Sequence, residues 1–314
     1  PDHTRLKSLV SKAFTTRVVE NLRPCVYQIA DSLLDNVHAR GEMDLVEEYA
    51  FRLPIMVIAM MLGADPNDHP LFRKWALALQ NASASRLKPP PAIYENAEKA
   101  SQEFINYFKP IITDRRANPQ DDLISNLVKA ADEGDKLTDE EIVATCTHLL
   151  TAGHETTVNL IAKGILALLR NPNALQLLRS HPEYMPNAIE EMIRYDTPIQ
   201  MITRWAYADI EIGGQQIKRG DSVGLMLGSA NRDPLRYKNP EVFDIQREDT
   251  KSCGFGGGIH YCLGSSLARA EGQIALNVLL NRLPELHLLE DNIKWANNII
   301  FHGPKQLKVG YRKP

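Results

Sequence analysis

One stretch of the sequence constrains the fold more than any other, an apolar pattern without proline that continues as far as Leu169. The preceding segment Thr138-Asp139-Glu140-Glu141 has the spacing of a capping box, which marks the start of a helix. Asn171-Pro172 follows the pattern and is expected to end it. At 1.5 Å per residue, a helix of this extent is about 45–50 Å long and crosses a whole domain. We therefore predict that it is central.

Shorter segments with helical periodicity occur on both sides of this helix, and after Pro198 the residue pattern becomes strand-like. Helices are predicted at 4–14, 17–40, 53–62, 70–85, 92–117, 121–131, 173–180 and 186–196, with a proline breaker at 88–91. A β-hairpin with a Gly213-Gly214 turn is predicted from Ile210 to Ile217, a strand from Val223 to Leu227, an irregular loop over 231–251 and a strand-like tail over 284–312. The predicted fold class is mainly α with small β-sheets, in one domain that spans 1–314.

Composition excludes several classes of protein. The chain has 314 residues, of which 44% are hydrophobic and 24% charged, with a formal net charge of −3. This near-neutral balance gives no reason to expect nucleic acid or an anionic membrane as partner. Four cysteines without a Cys-x-x-Cys pair indicate neither a disulfide framework nor a zinc site, and reduced thiols favour a cytoplasmic location. No apolar run reaches about 18 residues, so no membrane span is expected.

A glycine-rich loop, Phe255 to Gly264, carries one cysteine, Cys262, and is followed at once by a helical pattern. Helix N-terminal amides favour negative charge, so the position is expected to give Cys262 thiolate character. The glycines permit a tight turn and leave room for a large flat group. A thiolate beside open space suits a haem iron, where one cysteine ligand favours cleavage of the O–O bond. An ordinary glycine turn with a buried cysteine explains the loop by itself equally well.

A second unusual segment, Ala152-Gly153-His154-Glu155-Thr156, lies inside the long helix. Glycine in mid-helix costs about 1 kcal/mol relative to alanine, and a threonine that bonds back to the preceding turn can bend the helix. Their joint use predicts a local opening that admits a flat group and a diatomic ligand. Glu155 and Thr156 then form an acid–alcohol pair able to relay protons. The alternative is ordinary helix packing with a solvent-facing glutamate.

These two segments, together with Glu191-Met192-Ile193-Arg194, occur in the order and at separations that resemble the cytochrome P-450 superfamily, especially its soluble bacterial type. The resemblance covers essentially the whole chain. It implies that the long helix crosses over a haem, and that the family's N-terminal helices and pocket-roof loop are missing from this chain, which begins without an initiator methionine. Glu155 in place of the commoner aspartate is a variation that the family tolerates.

The resemblance also implies the site residues. Cys262 is expected to ligate the iron of haem b, and Glu155 and Thr156 to be catalytic. Residues expected to bind the cofactor are His3, Lys7, Ala152, Arg204, Phe255, Gly256, His260, Cys262, Gly264 and Ala268. The cations among them match positions that bind the haem propionates, although the family usually has arginine where this chain has Lys7, so a point charge replaces a bidentate fork. Without the resemblance, each cation reads as a solvated surface residue, and His154 as a packing histidine.

The resemblance also implies structural positions and positions that line the substrate pocket. Glu191 and Arg194 are expected to form a buried structural pair, with Arg247 as a second arginine. A mostly apolar substrate pocket is expected from the long helix, the segment after Pro198 and a late turn, although core packing explains the same residues. The pocket residues are Leu149, Leu150, Ala152, Gly153, Thr156, Ile199, Met201, Ile202, Thr203, Ile299, Ile300 and Phe301.

The function implied is a haem-thiolate monooxygenase that inserts one atom of O2 into a hydrophobic small molecule. Electrons are expected from a separate ferredoxin or flavodoxin, which docks near the cysteine loop, where Lys251, Arg269 and the first helix offer positive charge. A monomer is expected. Three alternatives stay open: a haem-thiolate sensor or carrier of a gas or lipid, a peroxide-driven enzyme, and a haem-free helical binding module. The acid–alcohol pair argues against the first two.

Overall fold

The computed structural model describes residues 2–11, 14–84, 90–132 and 137–313. Its helices are α1 (Asp2–Ser11), α2 (Thr16–Asp35), α3 (Arg52–Met61), α4 (His69–Ala84), α5 (Pro91–Ala117), α6 (Leu123–Ala130), α7 (Asp139–Arg170), α8 (Pro172–Ser180), α9 (Met185–Tyr195), α10 (Leu227–Ala230) and α11 (Ser265–Arg282). Its strands are β1 (Glu42–Asp44), β2 (Met201–Trp205), β3 (Ile210–Ile212), β4 (Gln215–Ile217), β5 (Ser222–Met226), β6 (His287–Leu288) and β7 (Lys308–Gly310). The predominance of helix with small antiparallel sheets confirms the predicted fold class.

The predicted central helix is α7. Thr138 accepts a hydrogen bond from the Glu141 amide, and the Glu141 carboxylate accepts one from the Thr138 amide, which completes the capping box. Over 32 residues the helix extends about 48 Å. Every residue from Thr157 to Leu168 is buried, so the second half of α7 lies inside the core.

Two glycines allow α7, α9 and α11 to approach one another closely. A Cβ atom at Gly164 of α7 would lie 2.7 Å from Met192 Sδ of α9. A Cβ atom at Gly272 of α11 would lie 3.1 Å from side-chain atoms of both Leu160 in α7 and Ile189 in α9. Because interiors are close-packed, either methyl group would push the helices apart. These three helices bring the end of the cysteine loop and the middle of α7 into one packed unit.

The strands form three small antiparallel sheets, ordered β1-β7-β6, β2-β5 and β3-β4. The predicted hairpin is β3-β4, and its turn glycines, Gly213 and Gly214, both have positive φ, as a two-residue turn of this kind requires. The structure adds β2, where the sequence predicted only a pocket-lining segment, and β2 pairs with β5 from Met201↔Met226 to Trp205↔Ser222.

Several predicted boundaries differ from the structure. The first long helix ends at Asp35 instead of residue 40, and only two short strands lie in the tail that looked strand-like as a whole. The predicted helix 4–14 and the proline breaker at 88–91 extend partly outside the described residues. Among the described helices, none is both long and apolar enough to cross a membrane.

Candidate active site

The loop before α11 is held in shape by its own backbone. The Gly256 amide donates to the Cys253 carbonyl at 2.8 Å, and the Cys262 amide donates to the Phe255 carbonyl at 3.0 Å. Gly256 and Gly258 have φ of 71° and 63°, a conformation that favours glycine. Gly264 is the N-cap of α11, and its carbonyl accepts from the Ala268 amide at 2.9 Å. The loop therefore presents Cys262 directly before the first turn of α11.

The pKa of the Cys262 thiol is shifted in the direction opposite to the one expected from the helix end. Burial raises the pKa of Cys262, and the nearby Gly264 amide, Arg269 and Lys7 only partly offset this effect. The helix N-terminus alone was expected to give thiolate character. Desolvation outweighs the effect of the helix end, because the half-buried sulfur has lost part of its water.

Open space lies beside this loop. Cβ atoms built on Gly257, Gly258 and Gly264 would meet no atom within 4 Å. Ile259, in the same loop, is 73% exposed, although large apolar side chains are usually covered. The loop thus borders a surface that a large flat group can occupy.

Four side chains predicted to bind the haem propionates converge at the loop. The His3 and His260 rings lie 4.5 Å apart between centroids. Lys7 Nζ donates to the carbonyls of Ile259 and Tyr261 at 2.7 and 2.9 Å. Desolvation and the positive charges of His3, Arg204 and Lys7 lower the pKa of His260, so all four groups lie within electrostatic reach. Cations and imidazole donors gathered in this way favour an anionic ligand.

On α7, the predicted pair has the features of a proton relay. Thr156 Oγ1 donates to the Ala152 carbonyl at 2.9 Å. Glu155 Oε2 is buried and has no hydrogen-bond partner among the described residues. Burial raises the pKa of the Glu155 carboxyl, and the positive charge of Arg73 opposes this only in part. The carboxyl can therefore carry a proton closer to neutral pH than an ordinary glutamate.

The helix around this pair is continuous. Helical conformation runs through Gly153 and Thr156 without interruption, so the predicted local opening is not seen in the backbone. A Cβ atom at Gly153 would lie 3.8 Å from the Ile58 side chain, an ordinary contact. Ala152 is nevertheless exposed in the middle of a long helix, which leaves the helix surface at this point accessible.

The exposed stripe of α7 also includes a residue that sequence reasoning missed. His148 lies one turn before Ala152 on the same face, and both are exposed. Leu149 and Leu150, which were predicted to line the pocket, are buried among apolar residues. Desolvation lowers the pKa of His148 although part of its side chain is exposed. The four-residue spacing from Ala152 was the available signal.

His154 is a packing residue, as the sequence suggested. Its side chain is fully buried, and its ring meets the Phe51 ring edge-on, with centroids 4.1 Å apart. Burial lowers the pKa of His154 to about 3, so the imidazole is neutral at physiological pH.

The predicted structural pair is confirmed with its third member. Arg194 donates to both carboxylate oxygens of Glu191, at 2.7 and 2.9 Å, and both side chains are fully buried. Arg247 donates to Glu191 at 3.0 Å. Arg194 also donates to the Asn231 carbonyl, and the Asn231 side chain accepts from the Cys253 amide. The cluster thus connects α9 to the start of the cysteine loop.

The segment after Pro198 is the other predicted wall of the substrate pocket. Met201, Ile202 and Thr203 are half-buried along β2. The Gln200 amide donates to the Ile300 carbonyl at 3.0 Å, which joins this segment to the predicted late turn. Ile299 in that turn is 62% exposed.

The donor set fits a haem. One thiol stands beside open space, and an accessible helix face carries an acid–alcohol pair. Two cations and two imidazoles surround the thiol loop and can donate hydrogen bonds to two carboxylates. Cys262 would be the iron ligand, and His3, Arg204 and His260 would hold the propionates. Lys7 is engaged with loop carbonyls, so its part would be to stabilise the loop as well as to add charge.

Comparison with known proteins agrees with this site. The sequence model of the family Cytochrome P450 matches residues 1–293. The chain is 42% identical to the polyketide biosynthesis cytochrome P450 PksS of Bacillus subtilis, over all of this chain and 76% of that protein. It is 39% identical to 6-deoxyerythronolide B hydroxylase of Saccharopolyspora erythraea, over 98% of this chain and 76% of that protein.

Solved structures of cytochromes P450 also superpose closely on this chain. The crystal structure of P450BioI in complex with an acyl carrier protein that carries hexadec-9Z-enoic acid superposes with a TM-score of 0.93 at 42% identity, over 99% of this chain and 80% of that one. Matches of this extent in both sequence and structure establish the relationship. The chain belongs to the cytochrome P450 family of haem-containing oxidoreductases.

Proposed function

We propose that the protein is a monooxygenase that uses haem b, with Cys262 as the iron ligand, to insert one oxygen atom of O2 into a hydrophobic small molecule. The observation that carries the proposal is the gathering of two cations, Lys7 and Arg204, and the imidazoles of His3 and His260 around the loop that bears the thiol. When bound, a haem with one cysteine ligand favours cleavage of the O–O bond. Haem b suits the chain because no Cys-x-x-Cys-His segment is present to attach the cofactor covalently.

The protein's own residues would manage the protons. Glu155 has a buried oxygen without a partner, so its carboxyl can bind and release a proton at Oε2. Thr156 stands beside it with its hydroxyl proton directed to the Ala152 carbonyl, which leaves its lone pairs free to accept a hydrogen bond from water. Acid and alcohol on one accessible stretch of α7 would deliver protons on the oxygen-binding side.

The proposed substrate is a molecule with a long apolar portion, of the acyl or polyketide type. Half-buried Met201 and Ile202 and exposed Ile299 supply apolar surface near the site. PksS is named for polyketide biosynthesis, and P450BioI was crystallised with a fatty-acyl carrier protein. Titration of the full-length protein with fatty acids of increasing length should shift the haem spectrum from low to high spin, with affinity that rises with chain length.

Electrons would come from a separate ferredoxin or flavodoxin docked near the cysteine loop. Lys251 is exposed there and offers positive charge. Arg269 is paired with Glu190, so its charge is largely neutralised. A monomeric state and a cytoplasmic location stay predictions, which sedimentation and fractionation can test.

Two substitutions test the function. Cys262→Ser should abolish haem ligation by sulfur, and unchanged haem content and spectrum would contradict the proposal. Thr156→Ala should keep haem and substrate binding while more reduced oxygen leaves as peroxide or water instead of entering product. Product formed equally by the unmodified protein and Thr156→Ala with added peroxide, and by neither with O2 and an electron donor, would favour the peroxide-driven alternative. Unaltered ligand binding with no turnover in either protein would favour the sensor.

A further inference from the structure

Arg269, in the second turn of α11, makes contacts that a surface docking charge does not need. Its Nε and Nη2 donate to the two carboxylate oxygens of Glu190 in α9, the second at 3.1 Å. Its guanidinium lies 4.4 Å from the centroid of the Phe255 ring. The side chain is therefore held on one side by a carboxylate of another helix and on the other by the loop that carries Cys262.

The geometry fixes the orientation of the guanidinium plane. A bidentate pair of arginine and carboxylate defines that plane as well as the distance. The same guanidinium lies over the Phe255 ring, where a cation and an aromatic face attract each other. Glu190 thus orients Arg269, and Arg269 limits the positions open to Phe255.

Phe255 is connected directly to the ligand position. Its carbonyl accepts the hydrogen bond from the Cys262 amide at 3.0 Å, so the two residues form the ends of one closed loop. The Phe255 ring also faces the Tyr261 ring, with centroids 6.3 Å apart. Movement of Phe255 must therefore change the hydrogen bond that positions Cys262.

We propose that Arg269 is a positioning residue: clamped by Glu190, it holds Phe255 and through it the Cys262 loop in the geometry that retains the haem. The inference rests on the proposed haem ligation by Cys262. It assigns to Arg269 a part different from electrostatic attraction of an electron donor, and it gives Glu190 a part that a docking surface would not require.

The test compares four variants of the full-length protein. Arg269→Gln removes the clamp, Arg269→Lys keeps the charge but loses the planar fork, and Glu190→Gln keeps Arg269 but weakens its anchor. Arg282→Gln is the matched control, since Arg282 lies on the same helix, is 29% exposed compared with 31% for Arg269, and joins α11 to Asp31 and Asp35 of α2.

The main readout is the rate at which haem passes to apomyoglobin, and the second is the fraction of the reduced carbon monoxide complex that keeps the thiolate spectrum. Arg269→Gln, Arg269→Lys and Glu190→Gln should each accelerate haem loss, by about threefold to thirtyfold, and lower the thiolate fraction. Arg282→Gln should match the unmodified protein. The lysine and glutamine variants separate geometry from charge, and Glu190→Gln keeps the test valid if Arg269→Gln does not fold.

Two results would overturn the inference. If Arg269→Lys and Glu190→Gln lose haem at the rate of the unmodified protein, the charge at position 269 alone matters. If the variants change only the affinity for the electron donor, the role of Arg269 is docking. Unmodified protein that binds no haem would overturn the proposed function as well. If the unmodified protein binds haem and the Glu190→Gln variant loses it at the same rate, this inference alone is overturned.

Discussion

Glu191→Gln is the substitution whose effect the structure defines most sharply. Glu191 and Arg194 have no exposed side-chain surface, and Arg247 is 9% exposed. The glutamine keeps the shape but removes the only carboxylate that both arginines contact in the described residues. Removal of one partner from a buried ion pair costs about 3–5 kcal/mol, because a charge is left buried without compensation.

That loss is a large share of a domain's total stability of about 5–15 kcal/mol. With a denaturant slope of about 3 kcal/mol per molar, the urea midpoint should fall by about 1–2 M. Circular dichroism at increasing urea measures this midpoint. Glu285→Gln is the control, since it removes an exposed pair with Arg312 at 2.8 Å, and its midpoint should change by about 0.2 M or less. Equal midpoints for the two variants would refute the argument that burial makes the Glu191 cluster essential.

Three further predictions follow from other parts of the chain. Burial raises the pKa of the Glu271 carboxyl to about 8 from its ordinary 4.5. The stability that this group contributes is therefore complete below about pH 4.5 and is lost as pH rises through about 8. Glu271→Gln should reduce the fall in melting temperature between about pH 5 and pH 9, and an unchanged dependence of melting temperature on pH would contradict this. Gly254→Ala should lower the melting temperature by about 2–10 °C, because its Cβ would lie 2.3 Å from a side-chain atom of α9, whereas Gly257→Ala should leave the apoprotein's melting temperature unchanged. Lys251→Glu should slow the first electron transfer by about tenfold at low salt and by less at high salt, with normal haem content; a salt-independent rate would place the docking surface elsewhere.

Features fixed by local rules were predictable from the sequence. The capping box at Thr138, the Gly213-Gly214 turn and the glycines of the cysteine loop each follow from the backbone geometry that only certain residues permit. Arg247 was predicted as the partner of Glu191 from the family pattern, and the structure places it there.

Features that depend on distant residues were not predictable in the same way. The strand β2 has little pattern of its own and exists because β5 pairs with it some 20 residues later. The Cys262 pKa was predicted from the helix end beside it, but burial by the rest of the protein has the larger effect. The pairing of Arg269 with Glu190 joins two helices that no local pattern relates.

The polar residues inside the buried half of α7 explain why its site residues have a fixed orientation. Asn159 approaches the backbone so closely that a Cβ atom at Gly303 would lie 1.8 Å from Asn159 Oδ1. Lys163 donates to Asp196 Oδ1 at 2.7 Å and to the Thr197 carbonyl at 2.9 Å. A buried charge must keep its partners, so rotation of α7 by one residue, about 100°, would break the Lys163 contacts. The rotation would also move Asn159 out of the space beside Gly303. The same rotation would turn Thr156 away from the accessible face. The Lys163 contacts, two turns farther along, and the packing of Asn159 therefore fix the direction of the acid–alcohol pair.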